Sequence, residues 1–409
     1  MEIRPILSAL MRNKTGGLLV AIQVALSLAI LANALYVVQL RMTVMQRSSG
    51  IADEAGVFMI TSEPVTAASH IEQMAQQQRE SSTLRGLAGV LAVAKVNQVP
   101  LSRSGWTAGY ATDRRQTQTV ASAAVYTTPD SLVSTWGLRL VAGRDFGPDD
   151  VLEDDPSVNN TIPRTIMVTR ALAEKAYPGT SAIGKELLQG AGDTAQSTRI
   201  IGVVDRLQTP AAQISQNGEY AVIMPMRSSG PSTVYTVHAE PGQRDRLMGE
   251  AAAALRRIAP TPTIITVQSM DEVRQKRYSA DKALAWTLIA VSALLLLVTA
   301  SGIVGIASLW VTQRRKQIGV RRALGARRID ILRYFLTENV MITSAGVLAG
   351  VLLGLALNQL LVSQLEMSRL PPGYLVAGAA LFWVLGIAAV YGPAWRAASI
   401  SPATATRGA

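Results

Sequence analysis

The sequence predicts an α-helical membrane protein with four transmembrane helices and a large α+β extracytoplasmic domain inserted between the first two. Three observations carry this prediction. The 409 residues are 49% hydrophobic, with a mean hydropathy of +0.24, high for a soluble chain of this size. Four runs lack any charged residue: Lys14 to Arg41, Lys282 to Arg314, Glu338 to Glu366 and Arg369 to Arg396. Each exceeds the roughly 20 apolar residues that a bilayer crossing takes. Finally, the net charge of +11 is unevenly spread, with +6 falling on residues 312–338 alone.

Taken in order, the expected elements are a cytoplasmic interfacial helix over 1–15 and a first span over 16–40. An outer domain over 41–282 and a second span over 283–311 follow. Next come a cytoplasmic segment over 312–338, a third span over 339–362, a short outer loop over 363–373, a fourth span over 374–395 and a cytoplasmic tail over 396–409. "MEIRPILSALMRNK" places Ile3, Ile6, Leu7, Leu10 and Met11 on one side of a helix, as an interfacial segment requires. The first span contains "ANA", Ala32 to Ala34, which mimics a signal-peptidase site, but its apolar stretch continues through Val38 and so reads as an anchor.

Orientation follows from the basic loop. Arg314, Arg315, Lys316, Arg321, Arg322, Arg327, Arg328 and Arg333 fall in one short connection, which the positive-inside rule places in the cytoplasm. Both termini then lie inside and residues 41–282 outside. That outer segment has a net charge of only +1, which fits a water-soluble domain rather than a nucleic-acid binder. Arg274, Lys276, Arg277 and Lys282 flank the second span on the outer side, largely offset by Asp271, Glu272 and Asp281.

Within the outer segment, strands are expected at 56–61, 121–126, 165–169, 198–204, 220–226, 233–239 and 262–267, where β-branched and apolar residues cluster. Helices are expected at 68–80, 82–92, 130–136, 170–177 and 242–258. The last carries Leu247, Ala251, Ala254, Leu255 and Ile258 at helical spacing. No helix breaker separates "SMDEVRQKRYSADKALAW" from the second span, so that span should begin as a stalk outside the membrane.

Candidate chemistry in this segment is sparse. "PGTSAIGKEL", from Pro178, has the glycine and lysine spacing of a phosphate-binding loop. Glu186, however, stands where the magnesium-binding hydroxyl belongs, and a carboxylate there repels phosphate. A helix end and turn into a strand is the better reading. The acidic run Asp149 to Asp155 lacks the alternating ligands and central glycine of an EF-hand and reads as a solvated loop. No cysteine exists, and the two histidines, His70 and His238, have no catalytic partners at useful spacing. Neither a metal nor a cofactor is expected on this chain.

In the membrane, Gly346, Gly350 and Gly354 recur every four residues, as do Ala21, Ala25 and Ala29. Such stripes let helices approach closely, within one subunit or between two. The polar residues of the spans, Gln23, Asn33, Thr299, Ser301 and Asn358, are uncharged and scattered, which argues against an ion-coupled transporter. In the basic loop, Ile329, Leu332, Phe335 and Leu336 form an apolar stripe, suited to lipid headgroups or to a soluble partner.

"RRKQIGVRRALGARRIDILRYFLTENVMITSAGVLAGVLLG" resembles the signature of FtsX-like permeases, in particular the MacB type of ABC transporter. The ending "GPAWRAASISPATATRGA" resembles the family's tail, through Pro393, Ala394, Arg396, Ala397, Ile400, Pro402 and Arg407. "GLRLVAGRDF" and "VTRALAEKAYPGTSAIGKEL" are similar to the MacB-like periplasmic core, with porter-like parts near 41–120 and 230–282 and a middle subdomain near 121–229.

The resemblance implies a non-catalytic permease subunit in a bacterial inner membrane, whose coupling helix seats on an ATPase. Gln317, Ile318, Gly319, Arg321, Arg322, Ala323, Leu324, Gly325 and Ala326 occupy the matching positions. A fused MacB carries its ATPase ahead of the first span. This chain carries none there, so ATP and magnesium are expected on two copies of a separate ATPase chain. A second permease copy or sister chain, a periplasmic adaptor and an outer-membrane channel are further implied partners. The implied mechanism is mechanotransmission, serving export of peptides, toxins or antibiotics. Lipoprotein extraction or control of a cell-wall hydrolase would use the same mechanics, and a receptor or scaffold without an ATPase is the alternative from another class. Gln317 stands where the family usually has an acidic residue, which suggests the weaker-coupled half of a heterodimer.

Overall fold

The computed structural model describes residues 14–103, 105–155, 161–190, 192, 194–213, 216–365 and 369–399. The interfacial segment expected at the N-terminus, up to residue 13, and the tail residues Ile400, Pro402 and Arg407 lie outside them. The chain divides into two compact units, one holding the chain up to Thr43 and from Asp281 onward, the other Val44–Ala280.

The first unit is a helical bundle. Its long helices are α1 (Lys14–Met45), α6 (Met270–Gln313), α8 (Arg328–Leu365) and α9 (Pro372–Ala398), with a short α7 (Arg315–Ala323) between the second and third. All four long helices are long and apolar enough to cross a membrane. Helix α1 is the most enclosed: 56% of its most apolar stretch is buried within the chain, against 17% for that of α6. Val20, Val24, Leu28 and Leu31 of α1 share one core with Ile303 of α6, Ile342 and Val347 of α8 and Phe382 of α9.

The second unit contains two sheets. The smaller has the order β12 (Thr263–Ser269), β1 (Val57–Pro64), β11 (Thr233–Ala239), β2 (Val90–Val96), all antiparallel. Side chains alternate along β1. Phe58 and Ile60 face helices α2 (His70–Arg85) and α5 (Arg244–Ile258), meeting Leu84, Leu247, Ala251 and Leu255, while Val57 enters the core on the other side. Helix α2 starts on a capping box, with Ser69 and Glu72 bonding each other's backbone N–H.

The larger sheet takes in β3 (Thr107–Ala111), β4 (Ala121–Thr128), β5 (Leu140–Gly143), β6 (Leu152–Asp154), β7 (Thr165–Thr169), β8 (Glu186–Gln189), β9 (Gln196–Val204) and β10 (Ala221–Ser228). It begins at Thr107, ahead of the expected subdomain boundary at 121. Helices α3 (Leu132–Thr135) and α4 (Arg170–Ala176) complete the unit. Strand β10 divides its side chains between two cores: Val222 and Met224 meet Leu172 of α4, whereas Ala221 and Ile223 meet Tyr126 and Trp136. Trp136 packs edge-on against Tyr126 and donates its indole N–H to Thr236 Oγ1 of the smaller sheet at 3.0 Å.

Two local expectations need correction. The helix expected at 82–92 ends at Arg85; Gly86 caps it, Gly89 adopts φ +92°, and Val90 begins a strand that pairs with β11. The acidic run is not simply a solvated loop. Arg144 grips Asp150 with both terminal nitrogens, at 2.6 and 3.2 Å, and Leu152–Asp154 adds a strand beside β10. The phosphate-loop lookalike is the turn between α4 and β8. Gly179 and Gly184 both have positive φ with open space where a side chain would stand.

Candidate coupling surface

The predicted coupling segment is two helices rather than one. Helix α7 closes at Ala323, Gly325 takes φ +95° to reverse the chain, and α8 begins at Arg328 and runs on into the third span. Asp330 accepts from the backbone N–H of Arg327 at 3.0 Å, capping the start of α8.

The nine predicted residues separate into two groups. Gln317, Arg321, Ala323, Leu324 and Gly325 are exposed, and Leu324 is 83% so. Val320, an unpredicted neighbour, is 54% exposed and completes an apolar patch. Ile318 and Gly319 are buried in the bundle instead. Arg322 is half-buried and donates to Ala398 O of α9 at 3.3 Å, so it serves a carbonyl at a helix end of this chain. Ala326 is half-buried, its N–H bonded to Arg321 O. The stripe on α8 also turns inward: Phe335 is 4% exposed, Leu332 and Leu336 pack on the same core, and only Ile329 stands open at 50%.

The small-residue stripes meet each other within this chain. A Cβ on Gly346 would come 2.7 Å from Ala21 O, one on Gly350 would come 3.0 Å from Ala25 Cα, and one on Gly354 would come 3.5 Å from Ala29 Cα. Three of the polar residues of the spans, read as scattered, join helices. Gln23 donates to Val298 O, Ser27 bonds Thr299, and Asn33 donates to Gly354 O at 3.1 Å.

A buried ion pair escaped sequence reading. Arg314 donates to Glu338 Oε2 at 2.7 Å, with the carboxylate 1% exposed, and to the Tyr334 hydroxyl at 3.3 Å. Its partner lies 24 residues away across the glycine turn, so no helical periodicity could signal it.

In the outer unit, Arg274 forks onto both oxygens of Glu54, at 2.6 and 2.9 Å, and also reaches the carbonyls of Met45 and Arg47. Burial raises the Glu54 pKa, but hydrogen bonds from Arg274 and Ser49 outweigh it and hold the carboxyl below its ordinary range. The structure does assemble a serine, a histidine and an aspartate: His70 Nδ1 lies 2.9 Å from Ser229 Oγ and 3.9 Å from Asp155 Oδ1. Both contacts use the same ring nitrogen, whereas a proton relay needs one partner on each, so the grouping is not a hydrolytic triad.

The chain thus joins four helices long and apolar enough to span a membrane, an inserted two-sheet domain and a short basic helix at the bundle's end. Residues 23–258 match the MacB-like periplasmic core domain, and residues 289–402 match the FtsX-like permease C-terminal family. The first match alone covers more than half of the chain, and the chain belongs to the MacB/FtsX-type permeases. It is 37% identical over 147 residues to the macrolide export ATP-binding/permease protein MacB of Bradyrhizobium diazoefficiens, covering 34% of this chain and 22% of that protein. It is 25% identical over 299 residues to the ABC transporter permease YvrN of Bacillus subtilis, covering 69% of each. The solved periplasmic region of MacB from Actinobacillus actinomycetemcomitans aligns with 57% of this chain and 97% of that one, at 14% identity and a TM-score of 0.37. The chain spans 40% or less of the first MacB relatives' own lengths.

Proposed function

We propose that this permease couples ATP hydrolysis on a separate cytoplasmic ATPase to movement of its extracytoplasmic domain, in the service of export of peptides, toxins or antibiotics. Two ATPase copies and a second permease chain would complete the transporter, with a periplasmic adaptor and an outer-membrane channel as further partners. Both termini would then lie in the cytoplasm. The observation that carries the coupling step is the exposure of Leu324 and Val320 in a segment otherwise crowded with arginine. Water gains nothing from such a patch, and a cavity on a soluble partner would bury it. Family membership and the export named for the MacB relatives support the rest.

The test is recovery of an ATPase with the tagged chain in mild detergent, compared with a Leu324→Asp variant. Burying an unpaired carboxylate in an apolar contact should lower recovery and stimulated hydrolysis by about tenfold or more. Leu324 touches no core, so the variant should insert and melt as the parent does. Equal ATPase recovery by both proteins would place the docking surface elsewhere.

A further inference from the structure

The cytoplasmic end of the bundle holds a cleft of about 220 Å³ between α7 and the first turns of α8. Arg314, Gln317 and Arg321 line one wall, and Asp330, Tyr334 and Phe335 the other. The guanidinium carbons of Arg321 and Arg314 lie 5.2 and 5.9 Å from the centre of the Tyr334 ring. The two arginines differ in what neutralises them. Arg314 is paired with buried Glu338, whereas Arg321 is exposed and has no carboxylate partner among the described residues. Asp330 is held at the start of α8 by the Arg327 N–H. The cleft therefore presents a guanidinium without an ion-pair partner beside the exposed amide of Gln317, over an aromatic floor and with the Asp330 carboxylate on the facing wall.

The aromatic residues around it point to the ligand. Trp310 lies in the last turn of α6, and Tyr334 lies one turn ahead of the charge-free run that starts after Glu338. At the end of α9, Tyr391 and Trp395 stack and are both about half exposed. Tyrosine and tryptophan gather at the headgroup level of a bilayer, and these rings would set the cleft at the level of lipid phosphates. A guanidinium offers phosphate a two-point donor, and basic pockets on the cytoplasmic side of a bundle select anionic headgroups.

We propose that this cleft binds the headgroup phosphate of an anionic phospholipid, with Arg321 and Gln317 donating to its oxygens. The site does not rest on the ATPase reading. The experiment is native mass spectrometry of the delipidated full chain titrated with phosphatidylglycerol or phosphatidylcholine. Arg321→Gln is compared with Lys316→Gln, an exposed charge outside the cleft. The parent should retain phosphatidylglycerol about tenfold better than phosphatidylcholine; Arg321→Gln should lose about tenfold, and Lys316→Gln less than about twofold.

Equal losses in both variants would reduce the effect to diffuse charge and overturn the site. No preference between the lipids would overturn it too, and displacement by millimolar inorganic phosphate would reassign it to a soluble anion. Unchanged lipid binding with ATPase recovery lost in Arg321→Gln would make the ligand a carboxylate of the partner chain. Arg314 is left intact because its removal would strand buried Glu338.

Discussion

Lys95 shows how much a single buried charge can report. It sits 5% exposed on β2, with Nζ donating to Ser228 O at 3.1 Å and its backbone N–H held by Asp130. Burial, with Arg227 nearby, pushes its pKa down to about 8, against which Asp130 acts only weakly. Between about pH 8 and the ordinary lysine value, the unfolded chain holds a proton that the folded chain does not. The contribution of Lys95 to stability must therefore rise with pH across that window, by about 3 kcal/mol. Lys95→Met removes this titrating group but leaves the tyrosines whose raised pKa values lower stability near pH 10 in both proteins, so the parent's melting temperature should gain on the variant's as pH rises from 8 towards 10.5. Parallel curves for the two proteins would place the charge in water. No sequence pattern marks this residue, because the carbonyl it serves is 133 residues away on the other sheet.

At the scale of elements, the contact of α8 with α1 is a seam of small residues, and its tightness is specific to position. Gly346 already has Ala21 O where a Cβ would go, whereas Gly305 on α6 has nothing within 4 Å. Gly346→Ala should cost about 1–3 kcal/mol by forcing the helices apart, and Gly305→Ala should be neutral or slightly stabilising. Thermal melts in one detergent would show the contrast; equal shifts would move the seam.

What could be read from the sequence divides along the same physical line. The four spans were legible because lipid excludes charge from whole helices, and the stalk of α6 because no residue breaks it. The stripes were legible too, but not which partner fills them. Strands β3, β5, β6 and β8 were invisible: each has three to five residues and is specified by its neighbours in the sheet rather than by its own alternation. At the coupling segment, exposure of Leu324 followed the motif. The inward turn of Ile318, Gly319 and Arg322 did not, because it depends on contacts with distant helices.

For the whole molecule, the outer unit has the ingredients of independent folding. Each sheet buries its own apolar face, and both contribute to a shared core that includes Tyr126, Trp136 and Ile223. The ends of the unit are tied together inside it: Arg274 clasps Glu54 and the Met45 and Arg47 carbonyls, while Tyr278 bonds Val44 O at 3.2 Å. Residues 44–280 expressed alone should be soluble and melt in one cooperative transition. A broad, non-cooperative melt would show that the sheets need the bundle. As pH falls through the lowered pKa of Glu54, its contribution to the clasp should disappear, and the fragment's melting temperature with it should drop.

The placement of α1 in the bundle also bears on how the chain is made. This helix is synthesised ahead of the helices it packs against, α6, α8 and α9. Ser27 waits for Thr299, and Asn33 waits for the Gly354 carbonyl 321 residues downstream. At a synthesis rate of roughly 5–20 residues per second, that wait is about a quarter of a minute to a minute. Throughout it, the polar groups that later lock the bundle face lipid or the insertion machinery, so α1 must sit in the membrane before the groups that complete it have been made.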